Sequence, residues 1–161
     1  RGNVETRIRK LDEGEFDALV LAEAGLKRLG LESRISVSLR PPLMFPAVGQ
    51  GALGIECRAD DSETQAALAP MDDEATHAAV TAERQLLACL WAGCHAPVGV
   101  ATSLDAGRLS LKAVVLSADG KQRLTAKGER DSAEASALGE QVAKSLLDQG
   151  AAALIAGERP G

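Results

Sequence analysis

Three prolines and three glycines fall between positions 41 and 55: Pro41, Pro42, Pro46, Gly49, Gly51 and Gly54. No regular helix passes through such a run. Proline removes an amide donor, and glycine loses the most conformational freedom on ordering. The 161 residues are therefore read as separate folding regions joined by a crossover at 41–55. A compact domain of that length buries roughly 70% of its unfolded surface, enough for a real core. The core has to be aliphatic, because Phe16, Phe45 and Trp91 are the only aromatic residues, against 29 alanines and 22 leucines. With 45% hydrophobic and 25% charged residues, the composition is that of an ordinary globular chain and excludes wholesale disorder.

A net charge of −5 weighs against a general nucleic-acid binder. The charge is uneven. Residues 1–40 hold eight Lys/Arg and seven Asp/Glu, whereas the remainder holds ten and sixteen. Arg1, Arg7, Arg9 and Lys10 face only Glu5 in the first ten residues, a cluster suited to a small polyanion. The three cysteines, Cys57, Cys89 and Cys94, are an odd number without a secretory segment, which points to reduced thiols in a cytoplasm. With only His77 and His95 beside them, no metal site is expected. Residues 85–104 carry no Asp, Glu, Lys or Arg. Gln85, Gly93, His95, Pro97 and Gly99 break that run, so it reads as a helix end, a loop and a strand rather than a membrane span.

Asn3 caps an expected helix whose apolar face is Val4, Ile8 and Leu11. Residues 16–21 read as a buried strand, and 22–29 as a short helix stopped by Gly30. Helix, strand and helix at this spacing suggest part of an α/β layer. Residues 52–57 read as another strand and 61–68 as a helix. The 72–90 stretch keeps a 3.6 period through Ala75, Ala79, Ala82, Leu86 and Leu90. Strands follow at about 97–104, 108–117 and 122–129, separated by Asp105-Ala106-Gly107 and Ala118-Asp119-Gly120, both hairpin signals. A long helix over 132–149 ends at Gly150. The second half is thus an α+β unit: a three-stranded antiparallel sheet with helices.

Cys94 sits in Ala92-Gly93-Cys94-His95-Ala96-Pro97, between a helix end and a strand. Two readings stand: a small buried hydrophobe, or an anchoring nucleophile that attacks a strong electrophile. A helix C-terminus does not acidify a thiol, so no hyper-reactive thiolate is expected. Cys57 and Cys89 read as structural. Arg1 and Arg7 lie two turns apart at a helix start, where free amides and the helix dipole attract anions. Arg9 points away from them. Lys27-Arg28 closes the second helix, and Gly49-Gln50-Gly51 offers backbone amides to a ligand.

These blocks together resemble the porphobilinogen deaminase (hydroxymethylbilane synthase) family. They are Arg1-Gly2-Asn3-Val4-Glu5-Thr6-Arg7, Leu11-Asp12, Leu21-Ala22 and the run 24–30, then 46–56, then Ala82-Glu83-Arg84, and finally Gly93-Cys94-His95-Ala96-Pro97-Val98-Gly99. The resemblance spans residues 1 to about 100, and the following α+β pattern fits the family's last domain. It implies a transferase of tetrapyrrole (porphyrin, heme) biosynthesis that joins four porphobilinogen units head to tail with release of ammonia. It further implies a dipyrromethane cofactor held by a thioether to Cys94. Arg1, Arg7 and Arg28 would bind the carboxylates of cofactor and substrate, and Gln50 and Gly51 would make hinge or backbone contacts. The partners implied are porphobilinogen and the growing oligopyrrole, with no nucleic acid and no membrane, in a cytoplasmic enzyme expected to be a monomer.

The implied domain plan has three parts. Residues 1–45 would be the second half of domain 2, a periplasmic-binding-protein-like α/β domain. Residues 46–70 would be the hinge crossover and the last strand and helix of domain 1. Residues 72–161 would be the C-terminal domain that carries the cofactor cysteine. The family's catalytic aspartate would lie upstream of Arg1, so no catalytic residue is assigned here. The 161 residues are expected to be a C-terminal portion, inactive alone, whose first 70 residues pack poorly, swap between copies or are completed by another chain. Two rivals remain: a non-catalytic small-anion-binding module that needs no thiol, and a redox sensor that pairs Cys89 with Cys94.

Overall fold

The computed structural model describes residues 2–93 and 96–156. Two compact units emerge, residues 1–40 and residues 41–161.

In the first unit, α1 (Val4–Asp12) starts where the Asn3 side chain accepts a hydrogen bond from the Thr6 amide at 2.9 Å. That cap satisfies one of the helix's orphan donors. Helix α2 (Glu23–Arg28) ends before Gly30, whose φ of 68° is the left-handed conformation glycine adopts cheaply. Ile8 of α1 and Leu26 of α2 are the buried hydrophobic residues of this unit. A Cβ at Gly25 would lie 3.9 Å from the Val4 side chain, an ordinary packing distance.

The expected strand over 16–21 does not form a ladder here. Phe16 and Val20 lie exposed, Val20 at 69%. An extended segment becomes a strand only when a neighbour accepts and donates its backbone hydrogen bonds, and no such neighbour stands among the described residues of this unit. In place of the α/β layer expected from helix, strand and helix, the described residues of this unit form two short helices and a 3-10 turn at Glu32–Arg34.

The second unit holds the sheet. Helix α3 (Ser62–Leu68) begins at Asp61, whose side chain accepts from the Thr64 amide. Helix α4 (Glu74–Cys89) begins likewise at Asp73, which accepts from the Thr76 amide at 2.8 Å. Strands β1 (Val98–Asp105), β2 (Arg108–Leu116) and β3 (Arg123–Asp131) form an antiparallel meander in the order β1-β2-β3. Asp105 pairs with Arg108. The two residues between them, Ala106 and Gly107, have φ of 47° and 78°, the positive pair that a tight right-twisted hairpin requires. Helix α5 (Ala135–Asp148) follows, and after Gly150 an unexpected short helix α6 (Ala151–Ala156).

Period-2 alternation puts Leu109, Leu111, Ala113 and Val115 on one face of β2, all buried. Leu86 of α4 and Leu138, Val142 and Leu146 of α5 close over them. Each large aliphatic side chain so buried contributes about 1.5–3 kcal/mol. The two helices approach closely at Gly139: a Cβ there would stand 2.3 Å from the Ala82 carbonyl oxygen.

The strand expected over 52–57 also lacks a ladder partner among the described residues. Leu53 is 92% exposed, Ile55 is exposed, and Cys57 is exposed rather than structural. The reason is the one that applies to 16–21. Both segments have strand-like composition, but pairing is a property of two segments.

Candidate functional site

The site is built from cations and their partners. Within the first unit most cations already have a carboxylate. Arg9 meets Glu13 at 3.7 Å, Lys10 meets Glu15 at 2.6 Å, and Lys27 meets Glu23 at 2.6 Å. Arg34 makes a two-pronged contact with Asp12, and Arg40 lies 3.8 Å from Glu23. The hydrogen bond from Lys27, and then that from Ser38, holds the Glu23 carboxyl below the usual carboxylate range.

Arg7 and Arg28 differ. Both are exposed, and neither meets a carboxylate among the described residues. Arg7 donates from Nε to the Gly2 carbonyl at 3.0 Å, which fixes the stem of the guanidinium and leaves its terminal nitrogens for another acceptor. Arg28 ends α2. An exposed arginine that makes no ion pair keeps its planar guanidinium open to a carboxylate, whose geometry it matches. Arg9, expected to point away into solvent, is indeed exposed and closes an i,i+4 pair with Glu13.

Gln50 and Gly51 lie in the second unit, in a chain of turns. The Gln50 amide donates to the Ala47 carbonyl at 3.1 Å and the Ala52 amide to the Gly49 carbonyl at 3.2 Å. Gly49 and Gly51 have φ of 70° and 87°, conformations that a side chain would strain. Arg1, Cys94 and His95 lie outside the described residues. By sequence position Cys94 falls between α4 and β1. Among the described residues no cluster of three or more His, Cys, Asp or Glu could hold a metal, and no helix is long and apolar enough to cross a membrane.

Glu83 lies inside the Ala82-Glu83-Arg84 block and carries no role expected from the sequence. It is the buried charged residue among the described residues, 9% exposed, on the inward face of α4 beside Ala82 and Leu86. Its Oε2 accepts from the Gly49 amide at 2.8 Å, and its Oε1 accepts from the Thr102 hydroxyl. The signal was a carboxylate inside an apolar helical stripe. A buried acid persists only where donors meet it.

Two family models match the chain in order. The one described as porphobilinogen deaminase, dipyromethane cofactor binding domain, matches residues 1–66. The porphobilinogen deaminase C-terminal domain matches residues 77–148. Among curated proteins, porphobilinogen deaminase of Roseiflexus sp. (strain RS-1) is 50% identical over 98% of this chain and 52% of its own length. That of Chromobacterium violaceum is 51% identical over 97% of this chain and 50% of its own length. The chain spans about half the length of the curated relatives it matches. It belongs to the porphobilinogen deaminase family, and its first part is of the kind that binds the dipyrromethane cofactor.

Proposed function

We propose that the chain supplies the cofactor-bearing part of a hydroxymethylbilane synthase, which joins four porphobilinogen units head to tail and releases ammonia at each addition. Cys94 is the attachment point. Its sulfur forms the S–C bond to a pyrrole methylene as the C–N bond to the departing amine breaks, and the thiol proton leaves with the ammonia. A merely positioned thiol suffices, because loss of ammonia makes the methylene strongly electrophilic. Cys94 would hold the dipyrromethane through that thioether, and the group so held would supply a fixed anchor for the growing chain.

The observation that carries this reading is the pair Arg7 and Arg28, left without carboxylates where the other described cations of their unit have one. A cofactor and substrate that each bring acetate and propionate groups fit such a pair. Arg1 joins them by resemblance, and Gln50 and Gly51 offer backbone contact. The domain plan belongs to the same proposal: 1–45 as the second half of a periplasmic-binding-protein-like domain 2, 46–70 as hinge and end of domain 1, and 72–161 as domain 3. So do a cytoplasmic location and a monomeric enzyme. No acidic residue here takes the role of the family's catalytic aspartate, so these 161 residues alone have no turnover.

The arginines provide the test. In the assembled enzyme, Arg7→Ala and Arg28→Ala each raise KM for porphobilinogen about tenfold or more, the scale of a lost charge-assisted hydrogen bond. Arg9→Ala leaves it within about twofold. Equal effects from all three would remove the argument.

A further inference from the structure

Residues 42–49 are a crossover by composition, yet five separate contacts tie them to the α+β core of their unit. Arg123 donates to the Pro42 carbonyl at 3.3 Å. The Phe45 ring has the Lys112 ammonium 5.5 Å and the Arg123 guanidinium 5.4 Å from its centroid, within cation–π range. The Val100 amide of β1 donates to the Pro46 carbonyl at 2.8 Å. The Gly49 amide donates to Glu83 at 2.8 Å.

The last contact differs in kind, since its acceptor is a buried carboxylate. Glu83 sits on α4, and its second oxygen is held by Thr102 of β1. The Gly49 bond therefore ends on an acceptor fixed from two elements, in a part-buried setting that limits competition from water. The tethering stops there. Beyond Gly51 the backbone over 52–57 has no ladder partner among the described residues, and Leu53 is 92% exposed.

We infer that Glu83 is a positioning residue whose buried carboxylate latches the Gly49 turn onto α4 and β1 and so fixes where Gln50 and Gly51 are presented. The segment 42–49 then behaves as part of the α+β unit, and the change of chain direction falls on Gln50-Gly51. That these two residues meet a ligand rests on the reading above. The latch does not, and it is tested without any ligand.

Residue-resolved amide hydrogen exchange on the 161-residue chain reads it directly. The Gly49 amide of the wild type is expected to exchange at least about tenfold more slowly than an unstructured glycine. Glu83→Ala removes that protection, while the central β2 amides of Leu111 and Ala113 stay within about twofold, which separates a local release from unfolding. Thr102→Val weakens protection at Gly49 about threefold, and Thr102→Ser, which restores the hydroxyl, keeps it. A Gly49 amide that exchanges freely in the wild type overturns the inference. So does protection that survives Glu83→Ala, or a Thr102→Ser that behaves as Thr102→Val. Should Glu83→Ala fail to fold, the wild-type rate and the Thr102 pair decide.

Discussion

Gly99 of β1 leaves the space that Phe45 occupies: a Cβ built there would stand 2.6 Å from the Phe45 Cβ and 2.9 Å from its carbonyl oxygen. The oxygen is backbone and the Cβ is fixed by the backbone that carries it, so neither can swing aside as a side-chain tip can. Gly99→Ala therefore forces Phe45 off β1 and is expected to cost about 1–3 kcal/mol. Chemical denaturation followed by circular dichroism measures it. A loss below about 0.5 kcal/mol would mean that the segment yields without consequence.

Gly139 sets two effects against each other. Alanine is favoured over glycine inside a helix by about 1 kcal/mol. The same substitution places a Cβ 2.3 Å from the Ala82 carbonyl oxygen and 3.0 Å from the Leu86 amide nitrogen. Relieving that contact means separating α4 from α5 over the buried Leu86 and Leu138, so overpacking outweighs propensity. Gly139→Ala is expected to destabilise by about 2 kcal/mol, read from the same denaturation curve. A stabilised variant would show that the helices do not approach this closely.

Asp73 gives a pH dependence whose sign is fixed. Hydrogen bonds from the Thr76 side chain and amide hold its carboxyl below the usual carboxylate range. A carboxyl with a lowered folded-state pKa contributes stability above its unfolded pKa and loses it as pH falls through the folded one. The melting temperature should thus fall from about pH 4 downward, and fall less steeply in Asp73→Asn, where the cap acceptor remains but does not titrate. Parallel curves for the two proteins would contradict this.

The parts of the fold visible in the sequence are those decided within a few residues. Asn3, Asp61 and Asp73 each cap a helix through an amide three positions on, and Ala106-Gly107 turns a hairpin between adjacent strands. Residues 16–21 and 52–57 have strand-like composition but form no strand, because a strand depends on a partner that local pattern does not contain. The role of Glu83 is invisible locally for the same reason, since its two donors lie 34 and 19 residues away. Arg7 and Arg28 were legible as candidates by resemblance. What distinguishes them from Arg9, that neither makes an ion pair among the described residues, is a matter of side-chain placement that the sequence does not contain.

Cys94 carries the account's central claim, that this chain bears a covalently attached dipyrromethane, and intact mass spectrometry of the assembled enzyme tests it most directly. The wild type should exceed its sequence mass by one dipyrromethane, and Cys94→Ser should return to the sequence mass while Cys89→Ser retains the adduct. An adduct that persists in Cys94→Ser, or a wild type with none, contradicts the account.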